Sequence, residues 1–272
     1  MPGDVADPTA VAARRALLDG LDALGPHAPF VVLVGAQAVY VHTEAVVTGI
    51  ALFTRDADMM LVPPVATAPD IERAMHDAGF TSGAQPGIWI SGDGERQVDL
   101  LVPDAMARRP GRRAAYLAGH GRRAARLVPG IEGAVVDSAP RAISALDPRD
   151  VRRVHLRVAG PAALLVAKAY KLTDRLAEGR PGRLGTKDAF DAYRLLRLPS
   201  QDLLAGFARM ASDPVAAPVA AQGIVKLSEL FLDAHAPGTL LARQHVEGIG
   251  EPEIVALSVV ALARELIDAL RA

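Results

Sequence analysis

Cysteine is absent from all 272 residues. That excludes disulfides, thiolate metal sites and cysteine nucleophiles together. No apolar run approaches the ~18 residues of a membrane-spanning helix, so no membrane partner is expected. The opening MPGDVADPTAV lacks the basic and apolar regions of a secretory signal, and a cytoplasmic location is the expectation. An excess of either charge is also missing: the formal net charge is −1, which gives the whole chain no bias toward polyanions. Aromatics make up only 4%.

What is present is half hydrophobic with an ordinary charged fraction of 22%, the composition of a globular chain with a real core. The length suits one large or two small domains. Val31–Val62, VVLVGAQAVYVHTEAVVTGIALFTRDADMMLV, is the most informative stretch. Val31–Val34 is short and β-branched, as a buried strand is. Gly35 ends it, and AQAVYVH continues with helical character. A second strand carries Asp56 and Asp58 at i and i+2, where side chains share a face. Carboxylates held that close repel unless a cation lies between them, and a hard divalent ion takes oxygens from one or two carboxylates together with substrate phosphates. An ordinary solvent-facing Asp-x-Asp is the plain alternative.

Before this stretch, residues 1–9 read as a frayed terminus and Val11–Leu24 as a helix stopped by Gly25-Pro26. After it, Pro69–Ala78 reads as a helix closed by Gly79. GIWISGDGERQVDLLVP reads as a hairpin, with strands Ile88–Ile90 and Val98–Val102 and a turn at Asp93-Gly94. Asp99 lies inside the apolar second strand, a costly place for a carboxylate without a partner or a cation. It is the natural third member of the Asp56/Asp58 site.

Between Ala105 and Arg126 there is no acidic residue but seven arginines, Arg108, Arg109, Arg112, Arg113, Arg122, Arg123 and Arg126. This reads as a cationic helix, either a polyanion-binding arm or a solvated face; Tyr116 is its only aromatic residue. Val135–Asp137, Ala142–Leu146 and Val154–Val158 finish the α/β part as short strands and a helix. Gly160-Pro161 marks a boundary, giving an α/β domain over 1–159 and a helical domain over 160–272. In the latter, Pro161–Arg175 carries Lys168, Lys171 and Arg175 on one helical face. A basic loop, GRPGRLG, follows, then a helix with Thr186 as N-cap and Asp188 in its first turn. Asp188 and Asp191 share a side. Helices near Ala216–Leu232 and Glu253–Leu270 read as packing elements.

In this order, the segments VGAQAVYVH, TRDADMMLV, VDLLVP, GPAALLVAKAYKLTDR and KDAFDAYRLL resemble the AbiEii-type nucleotidyltransferases. These are toxins of type IV toxin–antitoxin pairs, within the polymerase-β-like superfamily. The resemblance runs from about Val31 to Leu196. It implies an α/β (α+β) nucleotidyltransferase fold, a mixed sheet with helices followed by a helical C-terminal domain. It implies Mg²⁺ (or Mn²⁺) on Asp56, Asp58 and Asp99, with Lys168, Asp188 and Asp191 completing the catalytic set. It also implies nucleotide contacts from Gly35, Ala36, Gln37, Arg55, Lys168, Lys171, Arg175 and Lys187.

The expected reaction moves a nucleoside monophosphate from a nucleoside triphosphate to an acceptor hydroxyl on an RNA end such as tRNA, on a protein or on a small molecule. An antitoxin protein is an expected partner. The alternative is a degenerate nucleotidyltransferase fold that binds a nucleotide or a partner without chemistry. The family usually has Gly-Ser or Gly-Gly where this chain has Gly35-Ala36, leaving Gln37 or backbone N–H groups to meet a phosphate. The gap from Gly35 to Asp56 is also longer than usual.

Overall fold

The structure is a computed structural model and describes residues 7–44, 54–106, 113–179 and 182–272. The chain divides into two compact units. Met1–Ala38, Ala51–Val128 and Ala139–Val158 form a sheet unit, and Val39–Ile50, Pro129–Ser138 and Ala159–Ala272 form a helical unit.

The sheet unit opens with α1 (Pro8–Leu24), whose N-cap Asp7 accepts from the Thr9 and Ala10 amides. Among the described residues the strands are β1 (Val31–Leu33), β2 (Asp56–Leu61), β3 (Phe80–Ser82), β4 (Ile88–Ser91), β5 (Gln97–Pro103), β6 (Arg126–Val128), β7 (Ser138–Ser144) and β8 (Arg153–Ala159). They lie in the order β3-β4-β5-β2-β1-β8-β7, with β6 pairing β5. The sheet is mixed: β2 runs parallel to β5, and β1 runs antiparallel to β2 but parallel to β8.

The pleat of β2 sends Ala57, Met59 and Leu61 to one face, all fully buried. A Cβ on Gly20 of α1 would stand 2.5 Å from the Met59 methyl carbon, so α1 covers that face. Burying such apolar side chains contributes roughly 1.5–3 kcal/mol each. Asp56 and Asp58 take the other face. The chain leaves β1 through α2 (Gly35–Thr43). The short α3 (Ile71–Asp77) starts at its N-cap Asp70, which accepts from the Arg73 amide, two residues later than the proline suggests.

The helical unit contains α4 (Pro161–Ala177), α5 (Gly182–Leu196), α6 (Ser200–Ala211), α7 (Ala216–Phe231), α8 (Pro237–His245) and α9 (Pro252–Arg271). α4 is its axis. Small residues let its neighbours approach: a Cβ on Gly223 of α7 would meet Val166 at 2.8 Å, and one on Gly206 of α6 would meet Ala162 at 2.5 Å. The buried Asp137 carboxylate caps the first turn of α4 from outside, accepting from the Ala163 amide at 2.9 Å.

Several local expectations are corrected. Glu132–Val135 is a 3-10 turn rather than a strand, and β7 begins at Ser138. No described residue between Arg113 and Arg126 is helical, because turns at Gly119 (φ 84°) and Gly121 break the stretch. Arg108, Arg109 and Arg112 lie outside the described residues. Thr186 is not an N-cap: α5 already starts at Gly182, so part of the basic loop forms its first turn. Two further helices, α6 and α8, of 12 and 9 residues, lie between the expected ones.

Candidate metal centre

The parallel pairing of β2 with β5 places Asp58 and Asp99 directly side by side in register. Asp56 projects from the same face as Asp58, two residues earlier on the strand. One oxygen from each of Asp56, Asp58 and Asp99 lies within 4.8 Å of the others. Asp99 is only 4% exposed, and Asp56 and Asp58 are half-buried.

Each outer carboxylate is held by a neighbour on its own strand or chain segment. Asp56 accepts from the Thr54 hydroxyl at 2.8 Å. Asp99 accepts from the Gln97 amide at 2.8 Å and from Arg126 Nη2 at 2.6 Å. β6 makes the arginine contact possible, since it pairs Arg126 with Leu101, one step along the same sheet face as Asp99. Among the described residues, the buried Arg126 Nη1 meets no hydrogen-bond acceptor, so an N–H donor is left over beside the carboxylates. Arg126 was expected only as a member of a cationic arm. Gln97, at i−2 from Asp99 on one strand face, is a partner that the period-two spacing makes legible in the sequence.

Gly35 serves the site through what it lacks. Its φ is +68°, and a Cβ there would stand 1.9 Å from Asp58 Oδ2. The Asp58 carboxylate therefore packs directly on the glycine backbone at the start of α2, and the Val34 amide donates to the Asp58 carbonyl at 3.0 Å. Gln37 does not replace a missing phosphate-binding hydroxyl. It is 4% exposed, and its amide donates to the carbonyls of Ala13 and Asp56 and accepts from Arg14, tying α2 to α1 and β2. Ala36 is buried, and Arg55 is exposed at the entry to β2.

In the helical unit, Lys168, Asp188 and Asp191 also come together, but as a closed ion network. The Lys168 ammonium, 3% exposed, donates to Asp188 and to Asp191 at 2.6 Å each. Arg175 lies 3.0 Å and Lys171 3.8 Å from Asp188, and Lys187 lies 3.4 Å from Asp191. Burial alone would neutralise Lys168, but the charges of Asp188 and then Asp191 overcome it and hold the ammonium above the ordinary lysine range. Burial likewise works against Asp188, and Lys168, Lys171 and Arg175 win, holding its carboxyl below the usual range. Lys187 goes the other way, pushed down first by burial and then by Lys168. Both its ammonium and the Arg194 guanidinium lie over the Tyr40 ring, 5.7 and 5.9 Å from its centre.

Lys168 is thus occupied by protein carboxylates. Lys171, nearly half exposed along its side chain, is the more accessible cation of that face.

Oxygen-only donors on a rigid sheet, with space opened by a glycine, fit a hard divalent cation such as Mg²⁺ or Mn²⁺. Compared with protein-family models, curated proteins and solved structures, the chain matches none. Among the described residues, no helix is long and apolar enough to cross a membrane.

Proposed function

We propose that the chain is a divalent-cation-dependent nucleotidyltransferase of the AbiEii type, moving a nucleoside monophosphate from a nucleoside triphosphate to an acceptor hydroxyl. The observation that supports this best is the convergence of Asp56, Asp58 and Asp99 on one face of two parallel strands, within 4.8 Å, against the bare backbone of Gly35. When bound there, Mg²⁺ would neutralise phosphate charge, which is most of what phosphoryl-type transfer asks of a protein.

The chain's own residues do the positioning. Asp56 and Asp58 supply one ligand oxygen each, and Asp99 supplies a third whose direction is set by Gln97 and Arg126. The spare Arg126 Nη1 donor serves a phosphate oxygen. The backbone N–H groups at the start of α2 offer a second phosphate contact, as helix starts do. In-line geometry then follows from rigid placement. The catalytic and nucleotide-binding roles that the resemblance gives Lys168, Lys171, Arg175, Lys187, Asp188 and Asp191 belong to the same proposal.

The test is incubation with each α-labelled nucleoside triphosphate, Mg²⁺ and total tRNA, followed by a search for label on RNA or on the protein. Transfer by the wild type, lost in Asp58→Asn with the fold intact, is the expected result. Binding of Mn²⁺ and nucleotide without any transfer would move the chain to the alternative, a binding module on the same fold. The occupied Gln37 amide is the observation that favours that alternative.

A further inference from the structure

The first half of α9 is apolar on every side. Residues 254–263 read IVALSVVALA, with Ser258 the one polar side chain. A helix that is apolar all round belongs inside a core, but this one is covered along one side only. Val255, Ala256, Val259 and Ala263 are buried. Ile254 is 59% and Leu257 69% exposed, and Ala261 is exposed as well. These three stand at i, i+3 and i+7, on one helical face. Ile249, 65% exposed, precedes them in the turn before the helix. Single exposed apolar residues are ordinary, whereas several gathered on one face mark an interaction site.

The free charges around this face are mostly of one sign. Glu247 and Glu251 precede it, Glu265 and Asp268 follow it, and all four are exposed. Among the described residues none of these four carboxylates is in an ion pair. The neighbouring cations are turned elsewhere. Arg243 lies 2.7 Å from Glu253, and Arg264 donates to the Leu232 carbonyl at the end of α7, at 3.0 Å. Arg271 lies in the last turn of α9, beyond the apolar stretch. An isologous pairing of two copies of this chain would bring a second set of unpaired acids to the same rim. An anionic lipid surface would be repelled by it. The complement of this face is apolar and basic.

We propose that the Ile254–Leu257–Ala261 face of α9 docks an amphipathic helix of a partner protein, one whose apolar stripe is flanked by lysine or arginine. Helices are recognised through anchors at i, i+3 or i+4, and i+7, and the uncovered side of α9 presents that spacing. The small Ala261 allows the close approach of packed helices, about 8–10 Å between axes. Glu251 and Glu265 stand fourteen residues apart, roughly 21 Å along the axis. The partner helix therefore spans about four turns, with a base near each end. Such a contact lies at the small end of specific interfaces, below about 1,200 Å² in total, and salt weakens its charged rim. This surface does not rest on the transfer chemistry proposed above.

The experiment is fluorescence anisotropy of the full chain with a labelled helical peptide of leucine and lysine, about four turns long. Its leucines follow the i, i+3, i+4, i+7 spacing, and a second peptide carries glutamate in place of each lysine. The lysine peptide should bind at least about tenfold more tightly than the glutamate peptide. Leu257→Asp should weaken its binding at least about tenfold. The milder Ile254→Ser should act in the same direction with an unchanged melting temperature. Glu251→Lys with Glu265→Lys should reverse the preference in favour of the glutamate peptide. Asp58→Asn should bind the lysine peptide as the wild type does, which separates this face from the acidic metal centre.

No binding of the lysine peptide, equal affinity for the two peptides, or affinity untouched by Leu257→Asp would each overturn the proposal. So would an unreversed preference in the double variant. Concentration-dependent association of the wild type in sedimentation velocity, abolished by Leu257→Asp, would overturn it too, because the occupant would then be a second copy.

Discussion

The two aspartate clusters of this chain have opposite surroundings. In the sheet unit, Asp56, Asp58 and Asp99 gather on one strand face with Arg126 bonded to the last of them. In the helical unit, Asp188 and Asp191 receive Lys168, Lys171, Arg175 and Lys187. Four cations on two buried carboxylates make a structural knot between α4 and α5. Three converging carboxylates make a site that fits a cation from outside. The contrast shows how one residue type is closed off by protein cations in one place and left open to a cation in another, according to which charges the fold brings with it.

The largest effect should come from cutting the knot. Lys168→Met leaves two buried carboxylates short of their main partner, and breaking a buried pair costs about 3–5 kcal/mol. A downward shift of the urea midpoint at unchanged slope would measure it. A small shift would mean the network is dispensable and would collapse the contrast.

The same knot has a signed dependence on pH. Asp188 is held below its ordinary value, so its contribution is complete above about pH 4. That contribution is lost as pH falls from there through the folded value. Lys168, held above its ordinary value, contributes fully below about pH 10.4 and loses that contribution as pH rises through its folded value. Unfolding free energy measured across pH 2–5 (about this range, set by the carboxylate values) should fall less steeply in Asp188→Asn than in the wild type.

A middle-sized effect is expected at Gly35. Alanine there must adopt φ +68° and put its Cβ 1.9 Å from Asp58 Oδ2, a strained backbone worth about 1–3 kcal/mol together with a displaced carboxylate. Gly35→Ala should therefore lower the melting temperature and weaken Mn²⁺ binding in the same protein. Loss of stability with unchanged Mn²⁺ affinity would detach the glycine from the metal centre.

The smallest change in stability should follow Asp58→Asn. Removing one of several like charges should leave the metal-free protein within about 1 kcal/mol of the wild type, or more stable. The wild type should gain about 2.7 kcal/mol at a Mn²⁺ concentration a hundredfold above Kd, and the variant should not. Equal metal stabilisation in both would remove Asp58 from the site.

Much of the fold near the site was legible because it follows from local rules. The apolar run Val31–Leu33, the turn at Gly35, the period-two placing of Asp56 and Asp58, and the hairpin turn with Gly94 at φ 73° all depend on residues close in sequence. Asp99 could be singled out because a carboxylate in an apolar strand demands a partner. The charge run of Ala105–Arg126 suggests a helix face, but glycine turns at Gly119 and Gly121 keep its described part, Arg113–Arg126, out of a helix. Thr186 fits an N-cap by residue type, yet α5 starts four residues earlier, at Gly182.

By itself, then, the sequence determined the mixed α/β part, the helical C-terminal region and the candidate acids, through periodicity, turn residues and the cost of burying charge. Only the tertiary structure decided what each charged residue meets. Strand register set Asp99 against Asp58, β6 carried Arg126 to Asp99, and the packing of α4 on α5 consumed Lys168. Those outcomes depend on partners 20 to 41 residues away in the chain, as Lys168 to Asp188 and Asp58 to Asp99 show, and no local pattern encodes a distance across the fold.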